Sequence, residues 1–123
     1  AAAAPPPGGI IAAAVVSRCK ILLIDTFDKS VAGVLEAAPD LAAWIGSARA
    51  AGMAVAVAGS LTPAGIARVV LLGADVVAVR SAACRGGRLG RVERTLVAAA
   101  RAATLRCGSG RVPPADPPER RFS

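Results

Sequence analysis

These 123 residues contain no histidine and no tyrosine, and only two lysines, one tryptophan, two phenylalanines and one methionine. Without histidine, the three cysteines Cys19, Cys84 and Cys107 lack the usual partner of a mixed zinc site, and their spacing supplies no paired ligand motif. An odd, unpaired set reads as free thiols in a reducing compartment rather than as a disulfide framework. Aromatic scarcity means that the core is built from Ala, Val, Leu and Ile. Alanine buries little area at about 25 cal/mol per Å², so modest stability is expected of the isolated chain. Long apolar runs are also missing: none approaches the roughly 20 residues that span a bilayer, and no basic segment precedes Ile10–Val16. A cytoplasmic protein with no membrane partner is the expectation.

What the chain has in plenty is alanine and arginine, the latter outnumbering lysine thirteen to two. Net charge is +7, unevenly placed. From Arg85 to Ser123, nine arginines against Glu93, Asp116 and Glu119 give +6, while residues 1–84 contribute +1. The basic character therefore belongs to the last helix and the tail. With no interleaved aromatics and no nucleic-acid motif, it reads as a solvated helix face, and a nucleic-acid partner is not expected.

Length allows one domain. Residues 1–19 read as a low-complexity lead, disordered over 1–9, with a possible helix remnant at Ile10–Val16. Ile21-Leu22-Leu23-Ile24 is an apolar run of the kind found in strands buried on both faces. A short helix over Val31–Ala37 follows. Asp40 is placed to cap a helix carrying Leu41, Trp44, Ile45 and Ala48 on one face, with Trp44 a packing residue. Met53–Ala58 reads as a second buried strand. Thr62 can cap a helix begun by Pro63 and striped by Ile66, Val69 and Val70. Val76–Val79 reads as a third strand, and a last helix over Leu89–Leu105 turns Leu89, Val92, Leu96, Ala99 and Ala103 inward. Residues 107–123, rich in proline and arginine, read as a disordered tail.

Strand and helix thus alternate three times over residues 20–106, which predicts an α/β fold with parallel strands joined by helical crossovers. Polar residues gather just past each strand. Asp25 and Lys29 follow the first, roughly 13 Å apart if extended at about 3.3 Å per residue, and closer if the chain turns after Thr26. Gly59-Ser60 lies between the second strand and a capped helix, where backbone N–H groups and the helix dipole favour an anion; a tight turn with no ligand has the same local sequence. Arg80-Ser81 follows the third strand and offers a guanidinium. Lys29 can equally be a surface lysine paired with Asp25 or Asp28.

Taken together, Leu-Ile-Asp-Thr-Phe-Asp-Lys at 23–29, Val-Ala-Gly-Ser-Leu at 57–61 and Val-Ala-Val-Arg-Ser-Ala-Ala-Cys at 77–84 resemble the (5-formylfuran-3-yl)methyl phosphate synthase family, also called 4-(hydroxymethyl)-2-furancarboxaldehyde-phosphate synthase, of methanofuran biosynthesis. The resemblance covers roughly residues 20–105. It implies a partial TIM (β/α)8 barrel whose three C-terminal units, six to eight, are this chain, less than half of a closed barrel. It further implies a lyase that condenses two glyceraldehyde 3-phosphate molecules with loss of phosphate and water through a lysine Schiff base, with no metal or organic cofactor. By the same resemblance Asp25 and Lys29 are catalytic, and Gly59, Ser60, Arg80 and Ser81 hold phosphate. The family's Schiff-base lysine lies on earlier strands. Lys20 precedes a strand and does not replace it. Ser81 stands where the family usually has glycine, and Gly86-Gly87-Arg88 is one residue shorter than the usual form. The partners implied are glyceraldehyde 3-phosphate or a similar phosphorylated small molecule, and either the missing N-terminal units or another copy of the chain. A catalytically silent phosphate-binding or assembly fragment is the alternative.

Overall fold

The computed structural model describes residues 5–26 and 33–106. Helix α1 (Pro7–Val16) leads into strand β1 (Ile21–Ile24), followed by α2 (Val34–Ala37), α3 (Leu41–Ala50), β2 (Ala54–Val57), α4 (Pro63–Leu72) and β3 (Val76–Val77). A small antiparallel hairpin, β4 (Cys84–Arg85) with β5 (Arg91–Val92), precedes the last helix α5 (Arg94–Arg106). The three main strands form one parallel sheet in the order β1-β2-β3. Ile21 pairs with Ala54 and Ile24 with Val57, and Ala56 pairs with Val76. The ladder runs past the strands, with Ala58 N–H donating to the Ile24 carbonyl at 2.8 Å and Ala78 N–H to that of Val57 at 2.9 Å. An α/β fold with parallel strands is what the alternation predicted.

The helices cover one face of this sheet. Val55 and Val57 point into it and are wholly buried, with Ile45 and Ala48 of α3 and Ile66 and Val69 of α4 packed around them. Burying such a side chain is worth about 1.5–3 kcal/mol. Because side chains alternate along a strand, the other face takes Ile21, Leu23 and Asp25 from β1 and its extension, Ala54, Ala56 and Ala58 from β2, and Val76, Ala78 and Arg80 from β3. It is open: Ile21 is 60% exposed, Leu23 59% and Val76 50%. The expectation that Ile21–Ile24 is buried on both faces is therefore corrected. A run of four apolar residues has no period of its own, so it cannot distinguish a central strand from one paired on a single side.

Local chemistry explains most boundaries. Thr62 caps α4 as expected, its hydroxyl accepting the Gly65 N–H at 3.1 Å, with Pro63 in the first turn. Asp40 occupies the equivalent place before α3, but its carboxylate accepts no capping bond there. Helix α1 begins at Pro7, three residues before the stretch expected to be helical, and rests on α3 through Ile11 and Ala14.

The last helix needs the largest correction. It starts at Arg94, and Leu89 and Val92, expected to face inward, are 93% and 72% exposed in the hairpin. Gly86 and Gly87, at φ 85° and 77°, start a 3-10 turn, Gly87–Leu89, that carries Leu89 into the hairpin instead of into a helix. Within α5 the buried alanines are Ala100 and Ala103, with Leu96 half-buried and Ala99 exposed. Among the described residues, no helix is long and apolar enough to cross a membrane. The expected tail at 107–123 lies outside the described residues.

Candidate functional site

A parallel sheet directs all its strand C-termini to one end, and the loops leaving that end meet there. Here they enclose a cleft of about 280 Å³. Asp25 from the end of β1, Gly59 and Ser60 after β2, and Arg80 and Ser81 after β3 all line it. Five of the six residues singled out from the sequence thus come together. The sixth, Lys29, lies outside the described residues. One charged lining residue was not singled out as a site residue: Arg88, brought in from the hairpin.

The loop after β2 is the most constrained part. Gly59 has φ 120°, and a Cβ built on it would stand 2.8 Å from the Thr26 Oγ1 and 3.1 Å from the Val34 Cβ. Only glycine fits so close a crossing of the loops after β1 and β2. The Gly59 carbonyl accepts the Val34 N–H at 3.0 Å, which ties the start of α2 to this loop. Ser60 has φ 50°, one of only two described non-glycine residues in the left-handed region, the other being Arg18. Such a residue is held against its own preference, at a cost on the order of 1–3 kcal/mol, and strain of this kind concentrates at binding and catalytic loops.

Among the described residues, the N–H groups of Ser60 and Leu61 donate to no acceptor. Arg80 makes no ion pair among them either. Amides without internal acceptors beside an exposed guanidinium favour an anion at this spot. Ser81 opens a 3-10 turn, Ser81–Ala83, with φ outside the left-handed region, so its Cβ brings no backbone strain there. The carboxylate of Asp25 stands on the level of Ala58 and Ala78, two strand spacings or about 10 Å from the β3 backbone. That leaves room for a small molecule between a carboxylate and a cation.

Charge is handled differently in the hairpin. Arg85 and Glu93 form a two-pronged ion pair, the Nη2 donating to Oε1 at 2.6 Å and the Nε bonding to Oε2. The Arg85 guanidinium, followed by the Thr95 hydroxyl at 2.8 Å, holds the Glu93 carboxyl below the usual carboxylate range. The same contact raises Arg85.

Parallel strands with helical crossovers, and a small polar cleft at their carboxyl ends, define an α/β protein of the kind that acts on small molecules at its strand-end loops. A family model described as 4-HFC-P synthase matches residues 1–101, and the chain belongs to that family. The match extends beyond the resemblance seen in the motifs, taking in α1 and the residues before it. No curated protein matches the chain.

Proposed function

We propose that the cleft is the phosphate end of an active site that makes (5-formylfuran-3-yl)methyl phosphate from two molecules of glyceraldehyde 3-phosphate, with loss of phosphate and water, in methanofuran biosynthesis. The observation that carries this reading is the convergence of Asp25, Gly59, Ser60, Arg80 and Ser81 on one cleft in a chain of this family. In this reading the Ser60 and Leu61 amides, the Ser81 hydroxyl and the Arg80 guanidinium hold the phosphate oxygens. That contact positions the carbon skeleton toward Asp25, to which Lys29 is assigned as acid–base partner. Enolisation next to a carbonyl and expulsion of water both need a placed acid and base, the role assigned to that pair. The Schiff-base lysine belongs to units that precede these three in a (β/α)8 barrel.

The open sheet face supports that placement. In a barrel, the face turned from the helices is the filled interior. Here that face is apolar over Ile21, Leu23, Ala54, Ala56 and Val76 and becomes charged only at Asp25 and Arg80, which suits an interior ending in a polar rim. The test is incubation with glyceraldehyde 3-phosphate, with and without a polypeptide supplying the remaining units, following furan aldehyde absorbance. Turnover is expected only with the complement and is abolished by Lys29→Ala. Full activity of Lys29→Ala would remove Lys29 from the mechanism.

The exposure of Ile21 and Leu23 also favours a second reading, a catalytically silent phosphate-binding or assembly module. It predicts saturable phosphate-induced NMR shifts at Gly59, Ser60 and Arg80 and no turnover under any complementation.

A further inference from the structure

Arg88 reaches the cleft from a different quarter than the strand-end residues. It is the middle residue of the 3-10 turn Gly87–Leu89, at the tip of the β4–β5 hairpin. Two features fix that tip. At its base, Arg85 and Glu93 are clamped by their ion pair, and the Glu93 N–H donates to the Ala83 carbonyl at 2.9 Å. At the turn, Gly86 and Gly87 take left-handed φ, and Gly90 passes so close to the Arg85 carbonyl oxygen that a Cβ there would collide with it. The chain is thus returned at one place, with Arg88 over the cleft.

This hairpin contributes little to the core. Cys84 is buried, but Leu89 and Val92 are largely exposed. Arg88 itself pairs with no carboxylate among the described residues. Its effect is clearest in the charge of the cleft. Asp25, Arg80 and Arg88 are the charged residues among the described lining, so the formal charge of that lining is +1 with Arg88 and zero without it. A Coulomb interaction scales with the ligand's charge, and a cation added to a nearly neutral site helps a dianion about twice as much, in free energy, as a monoanion.

We infer that Arg88 is a specificity-determining residue, the second cation of the cleft, which makes the site select a dianionic phosphate monoester over a monoanionic ester of the same shape. The inference rests on the phosphate reading of the cleft. Methyl phosphate and methyl sulfate separate the two ideas, being tetrahedral monoesters that carry mostly −2 and −1 at pH 7.5.

In calorimetric titration of the whole chain, methyl phosphate is expected to bind about tenfold tighter than methyl sulfate. Arg88→Gln lowers methyl phosphate affinity about tenfold and methyl sulfate affinity about threefold, shrinking the ratio to about threefold. Arg88→Lys keeps most of the ratio. Arg91→Gln, in the same hairpin but outside the cleft lining, leaves it unchanged. An Arg88→Gln chain with the parent's ratio overturns the inference while leaving the phosphate reading in place. So does an Arg91→Gln chain that loses the ratio to the same extent, because selectivity would then come from the general positive field. A parent chain that binds neither ester overturns both.

Discussion

The two ends of the three-stranded sheet use the same kinds of side chain to opposite effect. At the amino end, Asp75 accepts the Val55 N–H at 2.9 Å, and Arg49 lies 3.6 Å from its other oxygen while donating to the Gly73 carbonyl at 3.3 Å. The Asp75 carboxylate and the Arg49 guanidinium thus answer each other within the fold. At the carboxyl end, Arg80 and Arg88 make no ion pair among the described residues and line a cleft instead. One end therefore consolidates the sheet, while the other leaves its arginines facing a cleft.

The strongest way to break this contrast is to attack the one residue on which the carboxyl end depends for shape. Gly59→Ala places a Cβ against Thr26 and Val34 at a left-handed φ, and should destabilise the chain by about 2–4 kcal/mol in urea denaturation while abolishing phosphate shifts at Ser60. An unchanged midpoint would mean that the loop is far looser than its geometry.

A pair of charge removals sharpens the comparison. Asp75→Ala leaves a backbone N–H and a guanidinium without their partner and should cost about 2–3 kcal/mol of stability. Arg80→Gln should change stability by less than about 0.5 kcal/mol but weaken methyl phosphate binding about tenfold. Equal stability losses in the two variants would erase the distinction between the ends.

The smallest effect belongs to the hairpin clamp and depends on pH. Glu93 titrates lower in the folded chain than in the unfolded one. Its contribution is present in full above the unfolded glutamate range and is lost as pH falls through the folded value. Amide shifts of Gly87 and Gly90 should therefore move on acidification in the parent, and sit near the acid position at every pH in Glu93→Gln. A parent whose hairpin shifts stay constant to low pH would show that the ion pair does not hold the turn.

How much of this was legible beforehand follows from which signals are local. The Thr62 cap, the Pro63 start and the Ile66-Val69-Val70 stripe are all carried by neighbouring residues, and the structure reproduces them. The strand-end positions of Asp25, Gly59, Ser60, Arg80 and Ser81 followed from alternation alone, because parallel strands present their carboxyl ends together. The open face of β1 could not be read, since exposure of Ile21 and Leu23 depends on what packs against them and not on their own run. Leu89, Val92 and Leu96 imitate a helical stripe, and that imitation concealed the hairpin. The cluster Gly86-Gly87-Arg88-Leu89-Gly90 was the available sign: three glycines around one arginine mark a turn that carries a charge.

One feature of the sheet reaches beyond the single chain. All three main strands point the same way, so among the described strands the outer flanks of β1 and β3 differ from each other, and either can pair with its own copy only antiparallel. Copies extending the sheet in parallel must join head to tail, the flank of β1 in one against that of β3 in the next. A twofold dimer cannot form by that route. Such association closes into a ring when its rotation divides the circle and otherwise runs on as a filament.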